Sequence, residues 1–299
     1  QQILFALIDM GKAFGKENIA HLGAVIFDPH GTTNSMISAA SEAYEKACLI
    51  GDNSFAVSMD SGNSHNMDDW KEIVRNVIDK DTVELSFAAQ AYTLDDSQQL
   101  IIEEAMSKVL DNKGEQLAIG TFVSVAEKIG RITDFDMLVV RKVIDHIRKH
   151  NVSYDIAVNL SFTTLADNAF RSNLYKLLQE HQDIVNQLVF SVTAYGAAKD
   201  IEAFTGFIDF AHRSNAKVIL KRYESQFISM EQVKQFKMDY IRLARVYTEN
   251  IGMDSEKRNL VEAMKELGDL LDVRILAEAV ESDIDYDAVK EIGLSAASR

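Results

Sequence analysis

Cysteine and proline each occur once in this chain of 299 residues, as Cys48 and Pro29. A single cysteine excludes an intramolecular disulfide bond and a cysteine-rich zinc site. We expect Cys48 to be packed as a small hydrophobic residue. One proline, against an average usage of about 5%, excludes a proline-rich linker and leaves long helices and strands uninterrupted.

Long hydrophobic runs and an excess of positive charge are also missing. No apolar run approaches the ~20 residues that a membrane-spanning helix needs, and the chain does not open with the basic and then apolar regions typical of a signal peptide. Because the first residue is Gln1, we interpret the chain as a soluble piece of a longer protein. With 31 basic and 46 acidic residues the net charge is −15, which excludes nucleic acid and anionic membranes as default partners. It leaves room for a local basic pocket that holds a small anion.

The first eighty residues are predicted to form an α+β segment. Helical spacing covers residues 3–14 and 35–49, and short apolar runs at 22–27 and 54–59 are typical of strands. The polar stretch 61–67 is the best candidate for a domain boundary. From Asp68 a helix is predicted, with one apolar stripe that packs on a neighbouring domain and consists of Trp70, Ile73, Val74, Val77 and Ile78.

After Thr82 short apolar strands alternate with amphipathic helices. The strands are predicted at residues 83–89, 100–106, 155–160, 188–193, 217–221, 240–243 and 274–277. The main helices are predicted at residues 119–129, 134–150, 197–214 and 255–271. Seven strands in a βα alternation favour a (β/α)8 barrel over an open sheet, which more often has five or six strands. The chain ends about where an eighth strand should begin, so that strand is short or the barrel is incomplete.

The usual nucleotide-binding and nucleophile motifs, GxxxxGK[ST], GxGxxG and GxSxG, are absent. In barrel enzymes the chemistry lies at the carboxyl ends of the strands. Those ends offer Gln90, Glu104, Asn159, Ser191, Lys221, Arg222, Arg242, Glu278 and Glu281. Acids and amides of this kind bind divalent cations, but adjacent Lys221 and Arg222 oppose one. Because successive strand residues point to opposite faces, we expect only one of these two cations to face inward.

Seven segments share their order and spacing with the motifs of one known family: Gln90-Ala91, Glu104-Ala105-Met106 with Lys108, the stretch 120–130, Asp136, Asn159-Leu160-Ser161, Asp239-Tyr240-Ile241 and Ala277-Glu278-Ala279-Val280-Glu281. On these segments residues 83–298 resemble an EAL domain, the barrel that hydrolyses cyclic di-GMP with two metal ions. The resemblance implies an α/β fold, the EAL-type (β/α)8 TIM-like barrel.

The beginning of the chain resembles the last part of a GGDEF domain, through His21-Leu22-Gly23, residues 38–47 and Gly51-Asp52-Asn53. The resemblance implies three parts. Residues 1–60 form a partial, degenerate GGDEF domain of the α+β cyclase type, residues 61–82 form a linker and connecting helix, and residues 83–299 form a degenerate EAL domain. The GGDEF motif itself is not in the chain, so no cyclase site is expected.

Several metal-site positions of the EAL family carry other residues here, namely Ser191, Ala194, Lys221, Arg222, Arg242, Ala244 and Ser298. Exchanging two carboxylates for Lys221 and Arg222 changes the formal charge at the metal centre by about four units. Each contact between two like unit charges costs about 4 kcal/mol at ~4 Å and an effective dielectric of ~20. We therefore expect no metal ions, no activated hydroxide and no catalytic residue.

The function predicted from this resemblance is a non-catalytic signalling module, a degenerate EAL domain that acts as a cyclic di-GMP receptor or effector. Lys221 and Arg222 would neutralise phosphate in place of metal. In the alternative, they pair with Glu104 and Glu278, close the pocket and leave a protein-docking scaffold of the CsrD type. An active phosphodiesterase ranks last. The candidate ligand-binding residues are Gln90, Glu104, Lys108, Asn159, Lys221, Arg222, Arg242, Glu278 and Glu281.

The resemblance extends to membrane receptors of the LapD type. It implies the cytoplasmic part of an inner-membrane protein, a protein partner and an EAL–EAL homodimer. Nucleic acid is not expected as a partner, and neither is a metal or other resident cofactor.

Overall fold

The computed structural model describes residues 19–25, 33–50, 53–58, 67–111 and 114–299. The helix predicted at residues 3–14 and nearly all of the candidate boundary at 61–67 lie outside these ranges. The chain divides into two compact units, Gln1–Val83 with Lys108–Ile132, and Glu84–Ser107 with Thr133–Arg299. Residues 108–132 thus belong to the first unit, although they lie inside the stretch assigned from sequence to the EAL domain.

In the first unit two short strands pair in parallel under one helix. Strand β1 (Leu22–Val25) pairs with β2 (Phe55–Ser58), and helix α1 (Thr33–Ile50) packs on both. The helix buries Ala43 and Ala47 against the strands. Because these side chains are small, the helix and the strands approach closely.

Gly23 shows how closely the helix approaches the strands. A Cβ atom at Gly23 would lie 2.2 Å from the backbone nitrogen of Tyr44 on α1, so only glycine fits there.

Cys48 is exposed, and the expectation that it is packed is wrong. It follows Ala47 by one residue, which turns it about 100° away from the buried face of the helix.

Helices α2 (Met67–Asp79) and α3 (Ile119–Lys128) also belong to the first unit and contact each other. The predicted apolar stripe of α2 faces inward, with Trp70, Ile73, Val74 and Val77 buried and Ile78 half-buried.

The second unit is a closed barrel of eight strands, in the order β10-β3-β4-β5-β6-β7-β8-β9. The strands are β3 (Glu84–Thr93), β4 (Leu100–Lys108), β5 (Asp155–Asn159), β6 (Leu188–Thr193), β7 (Lys217–Tyr223), β8 (Tyr240–Leu243), β9 (Arg274–Ala277) and β10 (Ala296–Ser298). Strand β10 pairs in parallel with β9 and antiparallel with β3. The predicted barrel is confirmed, and its eighth strand is the short one.

The helices associated with the barrel are α4 (Ile132–His150), α5 (Phe162–Leu165), α6 (Asn168–Gln179), α7 (Ala194–Ala198), α8 (Ile201–Arg213), α9 (Met230–Val233), α10 (Arg245–Thr248), α11 (Ser255–Leu271) and α12 (Asp283–Ile292). The prediction of a single helix over residues 197–214 is wrong, because the structure has two helices there, α7 and α8. Two helices meet there, because the Asp200 carboxylate accepts a hydrogen bond from the Ala203 nitrogen and caps the start of α8. Within the described ranges no helix has the length and apolar composition to cross a membrane.

One interior side chain from each strand fills the barrel. This layer consists of Ala91, Ile102, Ala157, Val189, Ile219, Tyr240, Leu276 and Ala296. Side chains two residues apart on a strand share a face. The residue two positions further along each parallel strand therefore also faces the barrel axis, one step nearer the carboxyl ends.

Candidate functional site

A polar layer lies directly above the apolar layer of the barrel. The two-residue period places there Glu104, Asn159, Ser191, Lys221, Arg242, Glu278 and Ser298. Five of these were candidate ligand-binding residues from sequence. They come together because the carboxyl ends of all the parallel strands open at the same end of the barrel.

Glu104 is the centre of this layer. Its Oε1 atom accepts hydrogen bonds from Lys221 Nζ at 2.6 Å and from Asn159 Nδ2 at 2.7 Å. Its Oε2 atom accepts from Arg242 Nη1 at 3.2 Å, and Lys221 also donates to Asn159 Oδ1. We call these four residues, Glu104, Asn159, Lys221 and Arg242, the Glu104 cluster.

The cluster is largely shielded from solvent. The side chains of Glu104 and Arg242 are 5% and 1% exposed, and that of Lys221 is 16% exposed. Burial alone would raise the pKa of Glu104, but the charges of Lys221 and Arg242 and the hydrogen bonds from Lys221 and Asn159 outweigh it, so the pKa is lowered. At neutral pH the cluster therefore holds one carboxylate and two cations, a net charge of +1.

Two buried polar atoms of the polar layer have no hydrogen-bond partner among the described residues, Arg242 Nε and Ser191 Oγ. Arg242 is anchored on its other side, where Nη2 donates to the backbone oxygen of Ala89 at 3.4 Å. The Arg242 side chain is thus fixed by protein contacts, while its Nε donor has no partner among the described residues.

A β-bulge in β7 contains the adjacent residues Lys221 and Arg222 and gives their side chains different orientations. Leu220 pairs with Ile241 and Tyr223 pairs with Leu243, so β7 contains one more residue than β8 over this stretch. Arg222 has a left-handed backbone with φ of 51°. Lys221 points inward and joins the cluster, whereas Arg222 is exposed and has no ion pair with any described residue.

The other sequence candidates lie outside the cluster. Gln90 donates from Nε2 to Glu103 Oε2 at 3.0 Å, and Glu281 pairs with Arg245 at 3.2 Å. Glu278 is half-buried, and its carboxylate has no hydrogen bond or ion pair within the described part of the chain. Lys108 ends β4 and belongs to the first unit.

Glu103 is a buried carboxylate that sequence reasoning did not identify. It is 3% exposed and also accepts a hydrogen bond from the Tyr154 hydroxyl at 2.8 Å. The adjacent pair Glu103-Glu104 could have indicated it. Side chains alternate along a strand, so the two carboxylates point to opposite faces of the barrel wall.

The donor set at the barrel mouth bears directly on metal binding. Divalent cations such as Mg²⁺ take oxygen ligands, and carboxylates supply the negative charge at such a site. Here an ammonium and a guanidinium already contact the Glu104 carboxylate. In the described ranges no three His, Cys, Asp or Glu side chains form a group that could hold a metal ion. These residues do not fit a pair of divalent cations.

Comparisons with known proteins agree with the barrel. Residues 71–298 match the EAL domain. Cyclic di-GMP phosphodiesterase PdeR of Escherichia coli (strain K12) is 26% identical over 164 residues, which is 54% of this chain and 25% of that protein. The chain spans about a quarter of the length of the curated relatives it matches.

Solved structures show the same fold. LapD S helix-GGDEF-EAL of Vibrio cholerae, bound to c-di-GMP, superposes with a TM-score of 0.77 at 18% identity, over 91% of this chain and 66% of that chain. The FimX EAL domain of Pseudomonas aeruginosa, bound to c-di-GMP, gives 0.69 at 15% identity, over 77% and 93%. With the family match extending over three quarters of its length, the chain belongs to the EAL domain family.

Proposed function

We propose that this EAL domain is a non-catalytic signalling module that binds cyclic di-GMP without metal ions. The observation that supports it is the Glu104 cluster, in which Lys221 and Arg242 neutralise the one central carboxylate. The ligand is inferred from the family, since relatives are named as cyclic di-GMP phosphodiesterases and the LapD and FimX structures are bound to c-di-GMP.

Loss of catalysis follows from electrostatics. A divalent cation at the cluster would meet two positive charges. At ~4 Å and an effective dielectric of ~20 each of these contacts opposes binding by about 8 kcal/mol, twice the value for two unit charges. A hydrolase of this kind needs metal to lower the pKa of the attacking water. Lys221 and Arg242 do not replace it, because each donates a hydrogen bond to the Glu104 carboxylate.

Ligand binding would use the positive charge that replaces the metals. A cyclic dinucleotide has two phosphodiester groups, each with one negative charge. Arg222 is exposed and unpaired among the described residues, and Lys221 is partly accessible beside it. Arginine can hold a phosphate with two parallel hydrogen bonds. Arg222 is therefore the side chain best placed to meet a phosphate at the carboxyl end of β7.

The test is a calorimetric titration of cyclic di-GMP into wild type and Arg222→Ala, in EDTA. We expect micromolar or tighter binding by wild type and a loss of about 1.5–3 kcal/mol for the variant, the contribution of one charge-assisted contact. Arg141→Ala removes an exposed arginine from α4 and should bind like wild type. Absence of wild-type binding at about 100 μM protein, or equal losses in both variants, would contradict the proposal.

A second candidate function is a nucleotide-independent scaffold that docks a protein partner. The closed pairing of both cations with Glu104 favours it, because a phosphate would have to compete with a carboxylate that already lies in place. Absence of cyclic di-GMP binding would support this function.

We further propose that the chain acts as the cytoplasmic part of an inner-membrane receptor that dimerises through its EAL domain. The likeness to LapD over 91% of this chain supports this proposal. Sedimentation of the chain with and without cyclic di-GMP tests it, and a monomer in both conditions would count against it.

A further inference from the structure

A groove of about 930 Å³ runs between helices α6 and α8, in the helical layer around the barrel. Among the side chains that line it are Arg171, Tyr175, Lys176, Phe210 and Arg213. The groove is open to solvent. Pockets for small ligands of similar volume usually enclose most of the ligand surface, so this shape suits an extended polymer segment better.

The charge of the groove is opposite to that of the chain as a whole. The net charge of the chain is −15, yet α6 contains two basic residues and no acidic residue. Lys176 and Arg213 are exposed and have no ion pair among the described residues. Asp209 lies one turn before Arg213 on α8, and no ion pair joins them.

Arg171 is a fixed positive charge on the wall of the groove. Its Nε donates to the Leu165 oxygen at 2.7 Å and its Nη2 to the Ala203 oxygen at 3.1 Å, and its guanidinium lies 5.9 Å from the centre of the Phe207 ring. Burial and the neighbouring Arg213 both lower the pKa of Arg171. These two like charges repel each other, and a bound anion would relieve the repulsion.

Two aromatic residues also line the groove. Phe210 is 8% exposed, and Tyr175 is 47% exposed. Arginine and tyrosine are enriched in protein interfaces, where an aromatic ring supplies contact area and a nearby charge sets orientation. A segment that suits the groove therefore combines carboxylates with apolar side chains.

We propose that the groove between α6 and α8 binds an acidic segment of a partner protein. Its carboxylates pair with Lys176 and Arg213, and its apolar side chains lie on Phe210 and Tyr175. The charge complementarity selects acidic partners and speeds their association. This site is independent of the Glu104 cluster, and the inference does not depend on whether cyclic di-GMP binds.

The test uses a short fluorescein-labelled peptide rich in Glu and Leu, and a matched peptide with Gln in place of every Glu. Binding to the full chain is followed by fluorescence anisotropy at low salt. The test variant is Lys176→Glu with Arg213→Glu. The control carries the same charge change on α4, Arg141→Glu with Lys149→Glu, at residues that are also exposed. Circular dichroism confirms that both variants fold, and Tyr175→Ala probes the aromatic contact without changing charge.

We expect the Glu peptide to bind wild type, to bind the test variant at least tenfold more weakly and to bind the control within twofold of wild type. Tyr175→Ala should also weaken binding. Any one of the following results would overturn the proposal: no binding of the Glu peptide, equal binding of the Gln peptide, an equal loss in the control, or displacement by inorganic phosphate beyond the effect of chloride at the same ionic strength. Self-association that the test variant abolishes would identify a second copy as the occupant and would also overturn it.

Discussion

Removing the Glu104 carboxylate should destabilise the barrel strongly. In Glu104→Ala, Lys221 and Arg242 keep their positive charges without a counter-charge, and Arg242 is only 1% exposed. Breaking a buried ion pair by removing one partner costs about 3–5 kcal/mol, because the remaining charge is left uncompensated. Asn159 also loses its acceptor for the 2.7 Å hydrogen bond. We therefore expect a loss of about 4 kcal/mol in the free energy of unfolding.

The loss should depend on pH in a defined direction. Because the pKa of Glu104 is lowered in the folded state, its stabilisation is present above the unfolded value of about 4.3 and is lost as the pH falls through the folded value. The difference between wild type and Glu104→Ala should therefore be full at pH 7 and shrink below about pH 4.

Urea unfolding followed by far-ultraviolet circular dichroism measures this difference. A suitable control is Glu231→Ala, which removes an exposed carboxylate paired with Lys234 at 3.3 Å and should cost less than about 1 kcal/mol. Replacing Glu104, Lys221 and Arg242 together by methionine should recover most of the loss, since no uncompensated charge then remains at this place in the barrel. A loss at Glu104→Ala no larger than the control would refute the ion-pair account.

Three further substitutions test other parts of the barrel by the same unfolding measurement. Tyr240→Phe removes the hydroxyl that donates to Asp155 Oδ2 at 2.6 Å and should cost about 1.5 kcal/mol; no change would show that this bond is not stabilising. Gly252→Ala would place a Cβ 2.4 Å from Ile284 Cγ2 and 2.7 Å from its backbone oxygen, so we expect a loss of about 1–3 kcal/mol, and a neutral effect would contradict this packing. Asp285→Ala leaves the Gly252 and Asn250 nitrogens without the acceptor they meet at 2.9 and 3.1 Å and should cost about 2 kcal/mol, whereas Asp287→Ala nearby should have little effect.

The barrel could be predicted from sequence because its buried strands are short apolar runs between amphipathic helices. The predicted bounds of β6, β8 and β9 are the observed ones. Strand β3 was predicted to end at Ala89 but continues to Thr93, where it pairs antiparallel with β10. Residues 90–93 of β3 are Gln-Ala-Tyr-Thr, a mixture of polar and apolar side chains. Because they form no apolar run, the sequence did not indicate that the strand continues over them.

The composition of the candidate site could be predicted, but its pairing could not. Strand ends converge in any such barrel, which is why Glu104, Asn159, Lys221 and Arg242 were selected together. Which of Lys221 and Arg222 faces inward depends on the bulge in β7, and the bulge is defined by pairing with β8, a long-range feature. Gln90 was also a candidate, but its side-chain amide donates a hydrogen bond to Glu103 and does not join the Glu104 cluster.

The central claim is that this EAL domain binds cyclic di-GMP without metal and does not hydrolyse it. One calorimetric experiment tests it most directly, a titration of cyclic di-GMP in EDTA and again in excess Mg²⁺, with the products then separated. The account predicts the same dissociation constant in both buffers, no continuing heat of reaction and no linear dinucleotide. Binding that requires Mg²⁺, or formation of the linear product, would contradict it.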